Sequence, residues 1–415
     1  MNRNRPTPYG ASALVLLLAA LAGPPALVAQ GGAVVVPAAY ADREAPGAEL
    51  YFLAPFAARR QLLIGADSLQ PAVGMPLAGL TVRRNMGARD PQEGGRVSVE
   101  LSLSHATLPP AGAIETFAAN RGPDHRSAFV GVLDLPSVEG SETAPAPWVE
   151  PFAVRLTFAA PFVYAGGTLC VESVTLPVPG AAEPWWPIDA AVEDLGGSVS
   201  VVGQSCLTAL PGTPAGAVDS SLVLGGTATF YIRGVIRPGP VFCLVGVDDR
   251  NFHGLPLPLD LGSLGAPGCR LYNDVVLVKP ALAQVFPGAL QGHAAADLPI
   301  PLDARFGGAA LYTQWVCPGA TMARGPFPYG FSNGVRAQLS ARLPTWNVAW
   351  VESSDPALDL GRVLRGRTPV LRLHWGPHGS PGFPPRRRPA ITVAGIRQWP
   401  ASRSSSTTCA PASAG

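Results

Sequence analysis

Acids and aromatics come together once in this chain, where Glu183, Asp189, Glu193 and Asp194 flank Trp185 and Trp186. A sugar ring stacks on an exposed indole while its hydroxyls donate to carboxylates. Two carboxylates at the right separation would make such a cleft a glycosidase. Trp185, Trp186 and Asp189 are therefore the candidate ligand-binding residues, against the competing reading that one tryptophan is core packing. Asp248, Asp249 and Asn251 crowd a second stretch just after an apolar run. Oxygen ligands at that spacing could hold Ca²⁺, and a tight turn uses the same residue types.

The chain has six cysteines and no Cys-x-x-Cys pair, which favours disulfides over metal ligation if the chain is exported. Locality pairs Cys170 with Cys206 and Cys243 with Cys269, leaving Cys317 and Cys409. The alternative for each is a buried free thiol. Of the six histidines, only His374 and His378 have helical ligand spacing, and Gly376 and Pro377 between them rule out a helix. The histidines are therefore expected at the surface. No serine sits in a Gly-x-Ser-x-Gly elbow and no glycine-rich phosphate loop ends in lysine, so nucleophilic catalysis and nucleotide binding have no motif.

The elements that must position these residues are strands. Val97, Val99, Leu101 and Leu103 alternate with Ser98, Glu100, Ser102 and Ser104. Val154, Leu156 and Phe158 do the same against Arg155 and Thr157, and Leu80 with Val82 begins the pattern earlier. Period-two alternation gives a strand one dry and one wet face. Further short apolar runs follow between turns. With 47 Gly and 46 Pro among 415 residues, many turns and few long helices are expected. One short helix is expected over residues 113–120, with Ile114 and Phe117 on one face. The fold class is all-β, with two antiparallel β-sandwich domains. The first spans residues 31–237. The second, residues 238–340, begins after the break at Arg237, Pro238, Gly239 and Pro240.

Arg3 and Arg5 precede an apolar run from Leu14 to Ala22 and then small residues, the layout of a secretory signal over residues 1–29. No segment reaches the roughly 18 apolar residues that a membrane-spanning helix needs. A secreted or cell-surface protein is expected, with no transmembrane span in the mature chain. The net charge of +2 conceals segregation, because residues 341–415 carry ten Arg against three acids. The body is therefore mildly acidic, and a nucleic-acid partner is not expected.

Residues 50–175 resemble the N-terminal β domain of secreted β-sandwich proteins of planctomycete-like bacteria, through Phe117, Ala118, Ala119 and Asn120 and through Pro161 to Tyr164 with Gly166 to Leu169. Residues 238–340 are similar to their C-terminal β module, through Leu255 to Gly262, Pro267 to Cys269, Leu298 to Pro301, Gln314 with Trp315, and Ser332 to Gly334. The resemblance implies fold and location and assigns no activity. Such modules end soon after the Ser-Asn-Gly strand, whereas this chain continues. Residues 341–415 are accordingly expected outside the folded body. They are either a disordered basic tail that meets acidic polymers through Arg386, Arg387 and Arg388, or a frame-shifted read past Ser340. The second is preferred, because Trp346, Trp350, Trp375 and Trp399 are too many aromatics for a solvated tail. The functional expectation is a non-catalytic extracellular protein, structural, adhesive or carbohydrate-binding, with an extracellular glycan or cell-surface polymer as partner. The alternative is a weak glycan hydrolase.

Overall fold

The alternating stretches are strands that face each other across an apolar core. A computed structural model of the chain describes residues 31–49, 52–85, 93–138, 147–182, 184, 186–206, 215–218, 221–235, 237–285, 292–318 and 329–376. One sheet of the core orders the strands Gly32–Val36, Leu371–Trp375, Pro76–Arg83 and Ala153–Val163. A six-stranded sheet orders Arg362–Leu364, Val348–Ser353, Ala58–Ile64, Leu169–Pro177, Gly95–His105 and Arg126–Leu135. Every pairing in both is antiparallel. Leu80, Val82, Leu156, Phe158, Leu371 and Leu373 from the first sheet share a buried cluster with Leu62, Val99, Leu101, Val171 and Trp350 from the second. These are the inward positions of the period-two pattern.

A second cluster lies between a five-stranded and a three-stranded sheet. The five strands, in order, are Ser198–Val202, Tyr329–Gln338, Ala310–Pro318, Gly239–Gly246 and Leu277–Ala283. The three are Ala215–Ala217, Thr227–Val235 and Gly292–Pro299. Phe230, Ile232, Val241, Cys243, Trp315, Cys317 and Val335 fill the space between. The fold is thus all-β with several antiparallel sheets and little helix. No helix among the described residues is long and apolar enough to cross a membrane.

Three expectations need correction. The boundary at residue 237 falls inside the second cluster, because Thr227–Val235 packs there and pairs with Gly292–Pro299. All described residues belong to one compact unit. The segment after Ser340 is no tail as far as residue 376. Val348–Ser353 pairs with Ala58–Ile64, and Leu371–Trp375 lies between Gly32–Val36 and Pro76–Arg83. Residues 377–415, with Arg386, Arg387, Arg388, His378 and Cys409, lie outside the described residues, as does the signal-like stretch 1–29. The helix is a single turn, Phe117–Asn120, and Ile114 is 44% exposed instead of sharing its buried face.

The motif residues are structural pins. Asn120 accepts from the Ile114 N–H at 3.1 Å and donates to the Ile114 carbonyl at 2.8 Å and to Gln61 Oε1 at 3.1 Å. In the second cluster Gln314 accepts from the Tyr272 N–H and donates to the carbonyls of Arg270 and Ser332. Asn333 accepts from the Ala215 N–H and donates back to the Ala215 carbonyl. Buried amides that satisfy backbone groups in this way fix strand register, because leaving either partner alone costs a full desolvation penalty.

Glu172 anchors a buried polar layer on the six-stranded sheet. It accepts from Arg59 Nε at 3.2 Å, Gln61 Nε2 at 2.5 Å and Arg121 Nε at 2.8 Å. Burial alone would raise its pKa. Hydrogen bonds from Arg121 and Gln61 and the charge of Arg59 outweigh that and hold the carboxyl below its ordinary value of 4.5. A carboxyl depressed in the folded state stabilises the fold above its unfolded pKa, and that contribution is lost as pH falls through the folded value. The melting temperature is therefore expected to fall on acidification below about pH 5. Glu172→Gln should be less stable at neutral pH and lose less on acidification. Thermal melts of both proteins across pH check this, and parallel acid profiles would contradict it.

Candidate functional site

The expected sugar-binding residues do not share an open surface. Asp189 lies on the strand Ile188–Val192, which pairs with Gly47–Glu49 and Arg367–Pro369, and its side chain is fully buried. One carboxylate oxygen accepts from the Ala45 N–H at 3.0 Å. The other accepts from Arg83 Nε at 2.9 Å and Nη2 at 2.6 Å. Burial raises the pKa of Asp189, and the hydrogen bonds and charge of Arg83 offset only part of that. Arg83 also donates to the carbonyls of Tyr40 and Arg43 and lies 4.8 Å from the centre of the Trp148 ring. Trp186 is 3% exposed and belongs to the first core. Asp189 and Trp186 are therefore structural, a correction to the ligand-contact reading. The sequence showed an acid beside aromatics but not Arg83, which is 106 residues away. Trp185 and Glu183 lie outside the described residues.

The acidic loop at Asp248, Asp249 and Asn251 is explained by turn chemistry. Asp248 Oδ1 accepts from the Arg250 N–H at 2.9 Å, the short-range bond of an Asx turn. Asp274 Oδ1 accepts from the N–H groups of Val247 and Asp248. Asn251 is exposed and opens a two-residue strand paired with Leu255–Pro256. Among the described residues no three His, Cys, Asp or Glu side chains converge on a common point.

The disulfide joins Cys206 to Cys269, so both locality pairings, Cys170 with Cys206 and Cys243 with Cys269, are corrected. Cys206 follows the strand Ser198–Val202, and its N–H bonds the Phe331 carbonyl, which brings it to the loop containing Cys269. Cys170 and Cys243 instead sit within strands, facing buried surroundings that push both thiols up to about 12. Cys317 is buried and free as well, also pushed up to about 12.

Two histidines sit beside potential partners in catalysis. His105 Nδ1 is 2.6 Å from Asp124 Oδ2, and its Nε2 accepts from the Ala165 N–H at 2.9 Å. The nitrogen that a general base would use is thus occupied by backbone. His125 Nε2 is 2.8 Å from Ser102 Oγ, the spacing of a base and a nucleophile. No carboxylate is hydrogen-bonded to its other nitrogen among the described residues, so the pair lacks the third group that would orient the base. His374, expected at the surface, is half-buried. Burial first, then the charges of Arg155 and Arg372, push it down to about 4.

What the structure does bring together is Glu193 and Asp194, in a cleft of about 470 Å³. The walls include Leu195, Leu222 and Val223, and Gly196, Gly197 and Gly366 leave the backbone open. Glu193 Oε1 accepts from the N–H groups of Thr345 and Trp346 at 2.9 and 3.2 Å and from the Thr345 hydroxyl. Its Oε2 is buried and has no hydrogen-bond partner among the described residues. Gly366, at φ +67°, cannot carry a side chain without strain, and an added Cβ would come within 3.4 Å of that oxygen and 2.8 Å of Leu195. Arg365 also lines the cleft, but its guanidinium donates to the carbonyls of Gly225, Pro110, Ala111 and Ala113. Burial lowers it to about 10. Thr345, Arg365 and Gly366 were invisible as site residues because they fall in the stretch read as a tail. No protein-family model matches the chain, and no curated protein matches it.

Proposed function

We propose that this is a secreted or cell-surface, non-catalytic protein, built on two β-sandwich cores, that binds a neutral glycan in the Glu193 cleft. The observation that carries the reading is Glu193 Oε2. A buried carboxylate oxygen without a donor is costly, and a sugar hydroxyl entering the cleft would supply one. Leu195 and Val223 offer apolar contact to a ring face, and the glycines allow close approach to backbone. The leader-like layout of residues 1–29 and the resemblance to secreted β-sandwich proteins support the location.

The hydrolase alternative rests on Glu193 and Asp194 lining one cleft. It needs two carboxylates flanking a scissile bond. Asp189, a third acid of the expected cluster, is committed to Arg83. Glycan-array binding combined with a reducing-sugar assay separates the two. The expected result is binding without sugar release, weakened about ten-fold in Glu193→Gln, or about 1.4 kcal/mol. Sugar release abolished by Glu193→Gln would establish the enzyme. Neither binding nor release would remove the glycan reading and leave a structural role.

A further inference from the structure

The outer face of the four-stranded sheet has a different character from the Glu193 cleft. In register across three neighbouring strands, Arg155 stands opposite Thr81 and Thr81 opposite Arg372. All three point away from the core that Leu156, Leu80, Val82, Leu371 and Leu373 fill. Arg155 and Arg372 sit two strand spacings apart, about 10 Å between their backbones, and both are half-buried.

The Arg155 guanidinium lies over the next row of the sheet, at Gly79, where an added Cβ would meet its Nε at 3.4 Å. That Nε is buried and has no hydrogen-bond partner among the described residues. Burial first, then the charge of Arg372, lower the pKa of Arg155, and no carboxylate among the described residues forms an ion pair with it. Thr81 Oγ1 and His374 Nε2 are 2.8 Å apart and satisfy each other, so neither compensates Arg155. Beside this row a cleft of about 330 Å³ is lined by Arg372, Trp148, Val35 and Asp42. Trp148 is held by its indole N–H, which donates to the Ala41 carbonyl at 3.0 Å, and Arg372 lies 5.9 Å from the ring centre. Arg83, under the same tryptophan, is already neutralised by Asp189. Asp42 lines this cleft together with Arg372, while Arg155 stands two strands away on the same face.

A pair of guanidinium groups held this way, one with an orphaned buried donor, lacks an acceptor carrying negative charge. We propose that this face binds an oxyanion, a sulfate or carboxylate group, between Arg155 and Arg372. The group is supplied either by an acidic polysaccharide or as a free ion. The site is separate from the Glu193 cleft and does not depend on it. Planar, forked donors favour tetrahedral or planar oxyanions over halide.

The test measures binding of the full chain to dextran sulfate, polygalacturonate, inorganic sulfate and neutral dextran at low and high salt. Wild-type protein should bind the anionic probes, more weakly as salt rises. Arg155→Gln and Arg372→Gln should each weaken that binding about ten-fold. Binding of inorganic sulfate at comparable occupancy assigns the site to a free ion, and binding of the polymers alone assigns it to a polysaccharide. The variant Arg386→Gln, Arg387→Gln, Arg388→Gln should still respond to both substitutions. No binding of any anionic probe would overturn the proposal. So would equal binding by wild type and both single variants, or binding lost only in the triple variant. If either glutamine variant fails to fold, Arg372→Lys, which keeps the charge but not the fork, decides on the same comparison. The neutral-glycan result is read separately, so failure here leaves the Glu193 cleft standing, and the reverse holds.

Discussion

Ending the chain after Ser340 is expected to abolish the cooperative melting of the first core. The truncation removes Val348, Trp350, Leu364, Leu371 and Leu373, each 6% exposed or less within that core. It also strips two sheets of strands that lie between other strands, opening Ala58–Ile64 on one side and separating Gly32–Val36 from Pro76–Arg83. Full burial of a large apolar side chain stabilises by about 1.5–3 kcal/mol, so five of them amount to about 10 kcal/mol. That is comparable with the whole stability of a typical domain, about 5–15 kcal/mol. Circular dichroism of the truncated protein should show lost tertiary signal and no sharp transition for this core. A melting temperature within a degree or two of the intact chain would show that the returning strands add nothing.

The second large effect is expected at Asp189→Ala. Arg83 is fully buried, so removing its carboxylate leaves a buried cation held by the carbonyls of Tyr40 and Arg43 without its ion-pair partner. Breaking one side of such a pair costs about 3–5 kcal/mol. For a chain of this size that lowers the melting temperature by about 5 °C. Replacing both partners by apolar residues, Arg83→Met with Asp189→Leu, should be milder than Asp189→Ala alone, because no charge is stranded. Thermal melts of the single and double variants decide it. Unchanged stability in Asp189→Ala together with lost glycan binding would restore Asp189 as a ligand residue.

The strands of the first core could be read from the sequence because one face of each is wet. Gly95–His105 shows the period-two pattern residue by residue, with Val97, Val99, Leu101 and Leu103 all buried. Val348–Ser353 hid because both of its faces are dry. Val348 and Trp350 face the first core, while Ala349 and Val351 pack with Leu63 and Phe117. A strand buried on both faces has no alternation to detect. Leu371–Trp375 does alternate, with Leu371 and Leu373 inward and Arg372 and His374 outward, but it is only five residues long. Its arginine-rich setting suggested solvent, yet Arg365 is satisfied by four carbonyls and needs no acid.

The candidate site was half legible for the same reason. Glu193 and Asp194 stood out as acids near tryptophans, and the cleft does contain them. Thr345, Trp346 and Gly366, which orient or border the Glu193 carboxylate, arrive from more than 150 residues later. Sequence distance likewise misled the cysteine pairing, because Cys206 and Cys269 meet across 63 residues. Antiparallel sheets with non-local pairing make neighbours of distant segments, and a single sequence carries no direct signal of it.

Core and cleft therefore both depend on the return of residues 345–375 into the first half of the chain, and amide hydrogen exchange tests that return most directly. The amides of Val348–Ser353 and Leu371–Trp375 should be protected to the same degree as those of Ala58–Ile64 and Pro76–Arg83, and should open with them as one unit. Exchange of Val348–Ser353 and Leu371–Trp375 at the rates of unfolded peptide, while Ala58–Ile64 stays protected, would contradict the account.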